Sequence, residues 1–75
     1  MTVVIRINEY QNDTFVIQKY SLNDNDTPLL LSVSTGNMDS LNETIERVPN
    51  KTFEMLDKVL KDLSSSNEAV ISYNV

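Results

Sequence analysis

The chain contains no cysteine, no histidine and no tryptophan among its 75 residues, and only one glycine and two prolines. Without Cys there is no disulfide to staple a small fold, and without Cys or His the usual zinc and haem ligands are missing. Nucleophilic catalysis by a thiolate, or by a serine paired with an imidazole base, is excluded for the same reason. The single glycine, Gly36, rules out a glycine-rich loop that cradles phosphates. Long hydrophobic runs are also missing. The longest, Leu29-Leu30-Leu31, falls far short of the ~20 apolar residues that span a bilayer. Residues Met1 to Arg6 lack the basic start and apolar core of a signal peptide, so the expectation is a soluble, cytoplasmic protein. Positive charge is scarce too: six Lys and Arg stand against eleven Asp and Glu, a formal net charge of −5.

The 40% hydrophobic and 23% charged content is that of a folding chain. Its length provides for one domain, residues 1–75, with one modest core. Such a core rarely leaves more than about 3–5 kcal/mol without a staple, a metal or a second subunit.

Period-two alternation opens the chain: Val3, Ile5 and Ile7 share one face, and Val4, Arg6 and Asn8 the other. Gln11-Asn12-Asp13 supplies turn chemistry before a second strand, Thr14 to Leu22. There the apolar positions change parity, from Phe15 and Ile17 to Tyr20 and Leu22. A bulge near Gln18 or Lys19 explains this, and so does a strand partly covered on both faces. Residues Asn23 to Pro28 form the strongest loop signal, followed by a third strand over about Leu29 to Ser34.

After Thr35-Gly36-Asn37 the period lengthens. Met38, Leu41, Ile45 and Val48 make a helical stripe about 80° wide, with Ser40 and Glu43 as a capping box, Glu43 and Arg47 as an i,i+4 pair, and Pro49 as the stop. A second helix, capped by Asn50 or Thr52, runs to about Leu63. Its apolar arc of about 160° comprises Phe53, Met55, Leu56, Val59, Leu60 and Leu63, with ion pairs expected from Glu54 to Lys58 and from Asp57 to Lys61. Residues 64–67 break that pattern, and Ala69, Ile71, Tyr73 and Val75 resume alternation as a last strand.

These elements give a small α+β domain in the order β-β-β-α-α-β: an antiparallel sheet of three to four strands with one or two helices on one face. The last strand belongs beside either the first or the third. If Val3, Ile5, Ile7, Phe15, Ile17, Leu29, Leu31, Val33 and Ile71 face the helices, the other face carries Val4, Arg6, Tyr10, Val16, Gln18, Leu30, Ser32 and Val70, joined by Tyr20. A half-apolar sheet face with Tyr and Arg suits contact with another protein. Val4, Arg6, Tyr10, Val16, Gln18, Tyr20 and Leu30 are therefore the candidate partner-binding residues, and an edge strand offered for pairing is a related route.

No residue is singled out as catalytic, cofactor-binding or metal-ligating, and no cofactor is expected. Residues 23–34 resemble a calcium loop only superficially: Pro28 stands where that loop needs Gly, and Ser34 where it needs a bidentate Glu. The helical carboxylates have cationic neighbours and lie opposite the apolar stripes, as solvated faces do. The triplets Asn-x-Thr at Asn12, Asn25, Asn42 and Asn50 would accept glycans only in a secreted chain. The six cations are scattered among acids, which argues against direct nucleic-acid binding, and no membrane contact is expected.

Two functions from different classes follow. The first is a non-enzymatic module, alone or as a homodimer, that regulates or inhibits a partner protein through its sheet face or edge. The second is an acidic decoy that occupies the nucleic-acid site of a host enzyme or defence complex, as small phage-encoded inhibitors of the anti-CRISPR kind do. Its carboxylates would be Asp24, Asp26, Asp39, Glu43, Glu46, Glu54 and Asp57, diluted by Arg47, Lys58 and Lys61.

Overall fold

The computed structural model describes residues 1–11 and 13–75. Asn12, in the first expected turn and the first Asn-x-Thr triplet, lies outside the described residues. The elements are β1 (Thr2–Tyr10), β2 (Thr14–Leu22), β3 (Pro28–Gly36), α1 (Met38–Glu46), α2 (Phe53–Ser66) and β4 (Glu68–Asn74). They form an antiparallel four-stranded sheet in the order β3-β2-β1-β4, which places the last strand beside the first. Both helices lie on one face, α1 over β2 and β3 and α2 over β4.

The core sits between these layers. Ile5, Ile7, Phe15, Ile17, Ala69 and Ile71 from the sheet meet Leu41, Ile45 and Val48 from the first helical segment and Val59 and Leu63 from the second. Odd-numbered positions of β1, β2 and β4 supply it, as a two-residue period requires. β1 has a hydrogen-bonded neighbour on each side, so Ile7, fully buried, lies at the middle of the molecule.

The parity change in β2 has a definite cause. Its register with β1 runs without interruption from Tyr10↔Thr14 to Thr2↔Leu22, so Tyr20 and Leu22 do stand on the face away from the helices. The irregularity lies on the other side, in β3: Lys19 pairs with Ser32 and Tyr20 with Leu30, leaving Leu31 as the extra residue of a bulge. This corrects the expected faces of the third strand. Val33 pairs with Gln18 and shares the open face, whereas Ser32, opposite Lys19, shares the helix face. Leu29 has the helix-side parity but stays exposed at 64%, and Leu31 is exposed as well; the helices do not extend over that corner.

Local chemistry sets the helix ends. Asn37 caps α1, its Oδ1 accepting from the backbone N–H of Asp39 at 3.0 Å and of Ser40 at 3.2 Å. The expected Ser40–Glu43 capping box is therefore absent, because the helix starts one turn earlier. Ser40 instead packs against Gly36, where an added Cβ would stand 2.3 Å from its Oγ and 2.5 Å from its Cβ. Thr52 caps α2 by accepting from Met55 N–H at 3.2 Å. That helix continues past Leu63 to Ser66, contrary to the expected break, with the Ser65 and Ser66 hydroxyls donating to the Asp62 carbonyl. Asn67 then ends it in the left-handed conformation, φ 60°, with its N–H on the Leu63 carbonyl. Asp13, Asp26 and Asn50 also hold positive φ. In a chain with a single glycine, Asn and Asp take the left-handed positions, their short polar side chains tolerating them better than other L-residues do.

Two helix-surface expectations are overturned. Phe53 is 82% exposed at the first position of α2, and Leu60 is 39% exposed; both sit at the rim of an arc whose centre, Val59 and Leu63, meets the sheet. The ion pair formed on that helix runs from Lys58 to Asp62 at 3.9 Å, and not from Glu54 to Lys58 or from Asp57 to Lys61. On α1 the Glu43–Arg47 pair forms as expected, at 2.8 Å.

Candidate protein-binding face

With both helices on one side, the opposite side of the sheet has no covering layer. The two-residue period and the registers bring all seven candidate contact residues onto it: Val4, Arg6 and Tyr10 from β1, Val16, Gln18 and Tyr20 from β2, and Leu30 from β3. Across the strands Val4 lies beside Tyr20, and Tyr20 beside Leu30. Arg6 lies between Gln18 and Val70. Leu22, Pro28, Val33 and Glu68 also lie on this face and fall outside the candidate set. Leu22 could have been placed by its parity with Tyr20, but Val33 could not, since the bulge that turns it over has no signature in the sequence.

Charge on this face is nearly self-cancelling. The Arg6 Nε donates to Glu68 Oε1 at 2.8 Å, across the β1–β4 pair. Both side chains are substantially exposed, so the bridge contributes well under about 1 kcal/mol. Val4, Arg6, Tyr20, Leu22, Pro28, Glu68 and Val70 together line a shallow depression of about 620 Å³. Its walls are mostly aliphatic and aromatic, with one guanidinium and one carboxylate at the edge. Such a surface has the mixed apolar and polar make-up of protein interfaces.

The helix side carries a different hollow, of about 290 Å³. Ile5 and Ile17 form its base, while Lys19, Ser32, Ser34, Ser40, Glu43, Thr44, Arg47 and Tyr73 ring it. One cation there is already matched by the Glu43–Arg47 bridge, and the Thr44 hydroxyl is donated to the Ser40 carbonyl at 2.9 Å.

The acidic candidates come from three parts of the chain. Asp24 and Asp26 occupy the β2–β3 connection; Asp39, Glu43 and Glu46 lie on α1, and Glu54 and Asp57 on α2. Glu43 is bridged to Arg47 and Glu46 to Lys51. In the β2–β3 connection the Asn23 Oδ1 accepts from the N–H groups of Asn25 and Thr27, at 2.9 and 3.0 Å, so this side chain serves the turn. Among the described residues no three His, Cys, Asp or Glu side chains gather as metal ligands, and no helix is long and apolar enough to cross a membrane.

Fold and surface define the chain as a two-layer α+β domain with one open sheet face. No known protein family, curated protein or solved structure matches it.

Proposed function

We propose that the protein is a non-enzymatic binding module that regulates or inhibits a partner protein through its open sheet face. The observation that supports this is the face itself: the core of the domain is complete on the helix side, yet Val4, Val16, Tyr20, Leu22, Leu30, Val33 and Val70 are spent on the side with no covering layer. Large apolar and aromatic groups collected on one rigid surface are what a protein interface uses as anchors, with Arg6 and Gln18 supplying directional hydrogen bonds among them. The acidic decoy has weaker support, because its carboxylates are spread over a loop and two helices and two of them are already bridged.

Affinity capture from lysate of the native source tests the proposal and separates the two functions. A Val16→Ser/Tyr20→Ser/Leu30→Ser variant should lose a partner that the wild type retains, while a Glu43→Lys/Glu46→Lys/Glu54→Lys/Asp57→Lys variant should keep it. Retention by the first variant and loss by the second, together with competition by DNA or RNA, would replace the module with the decoy.

A further inference from the structure

We infer that β3 is a self-association edge: two copies of this chain pair antiparallel through it, joining their sheets into one of eight strands. The inference does not depend on the binding role of the open face.

β3 is nine residues long, lies at the end of the sheet, and is exposed at every position from Pro28 to Thr35, on both faces. Its outward backbone donors and acceptors lack a neighbouring strand, and its side chains include Leu29, Leu30, Leu31 and Val33. Natural edges of this kind are blunted by charge, above all by lysine. Here there is none: residues 27–38 form the longest uncharged stretch in a chain of net charge −5. The opposite edge is managed in the usual way. β4 is shorter, carries Glu68 in an ion pair, and has α2 packed over it.

The same charge pattern selects the occupant. Two acidic chains repel, so pairing is favoured along a segment that brings no like charges opposite one another; β4 is uncharged only from Ala69 onward, whereas β3 lies wholly within the longest uncharged stretch. A basic partner would find no complementary carboxylate on it. The bulge at Leu31 leaves Ser32–Gly36 as the regular stretch, so the two-fold axis falls within it. Surface area agrees. The chain exposes 5199 Å², about 500 Å² more than the roughly 4,700 Å² expected of a folded monomer of 8.5 kDa. That excess is about what each copy contributes to a small two-chain interface.

The native absence of cysteine makes the test clean. Single-cysteine variants Ser32→Cys and Ser34→Cys are oxidised, with Tyr10→Cys at the exposed end of the central strand β1 as control, and the mass of the untagged wild type is measured by sedimentation equilibrium. The expected results are a wild-type dimer that tightens as salt screens the acidic repulsion, and a disulfide-linked dimer from at least one β3 variant but not from Tyr10→Cys. Val33→Glu, at an exposed position, should weaken the dimer at least about tenfold by setting two carboxylates near the axis, whereas Val70→Glu should not. A wild-type monomer throughout the concentration range, or a dimer weakened by Val70→Glu and indifferent to Val33→Glu, would overturn the inference. The second result would place the contact between open faces. Either leaves capture of a different partner by the open face to be judged on its own experiment.

Discussion

Replacing Gly36 by alanine should couple strongly to residue 40, and the geometry gives the size of the effect. Gly36 ends β3 just before Asn37 caps the first helix, and the Ser40 side chain fills the space where a Cβ would go. An alanine methyl would lie 2.5 Å from the Ser40 Cβ and 2.3 Å from its Oγ. Rotating the hydroxyl relieves only the second clash. The first is fixed by the helix backbone, so the helix must shift away from the strand. Overpacking of this kind costs about 1–3 kcal/mol, a large part of the roughly 3–5 kcal/mol available to a domain of this size. Ser40→Gly alone costs up to about 1 kcal/mol, the helix-interior penalty of glycine. In the double variant both clashing atoms are gone and the remaining neighbour, the Ser40 Cα, stands at 4.0 Å, an ordinary contact. Gly36→Ala/Ser40→Gly should therefore be about as stable as Ser40→Gly alone, a coupling of roughly 1–3 kcal/mol in a double-mutant cycle. Urea unfolding followed by circular dichroism measures all four proteins. Additive costs, or a Gly36→Ala protein as stable as wild type, would refute the argument.

Two further expectations concern the other helix and the core. Asn67, left-handed at φ 60°, should accept glycine with little change or a small gain, whereas Asn67→Ala should lose about 1 kcal/mol, read as a fall of about 4–8 °C in the thermal midpoint. Ile7→Ala, at a fully buried position between two neighbouring strands, should cost about 2–5 kcal/mol and unfold much of the population at room temperature. Phe53→Ala, at a position 82% exposed, should stay within about 0.5 kcal/mol of wild type despite removing the larger side chain. Equal losses from Ile7→Ala and Phe53→Ala in chemical denaturation would contradict the packing described here.

Element type and order were legible because each is a local property. A period of two in Val3, Ile5 and Ile7, or of 3.6 in Leu41 and Ile45, commits a segment to strand or helix and names its buried face. The seven contact candidates could be gathered on one sheet face by the same reasoning, since parity along regular strands survives folding. Prediction failed where a position depends on what lies across from it. Val33 and Ser32 exchanged faces because the Leu31 bulge is decided by the pairing of β3 with β2. Phe53 and, in part, Leu60 reached solvent because they stand at one rim of the apolar arc, whose centre at Val59 and Leu63 is what the core buries. Helix ends moved by about a turn where the Asn37 side chain capped the start of α1 and the left-handed backbone of Asn67, its N–H on the Leu63 carbonyl, closed the end of α2.

By itself the sequence determined that this is one small acidic α+β domain in the order β-β-β-α-α-β, without thiol or imidazole chemistry. Its covalent inventory and its hydrophobic periods are enough for that. Only the tertiary structure decided that β4 returns beside β1, which makes β1 central and leaves β3 as an uncovered edge. It also decided, through the Leu31 bulge, that Val33 joins the open face and Ser32 the helix side. The reason is physical: a strand's neighbours and a face's cover are set by long-range burial, which no window along the chain contains.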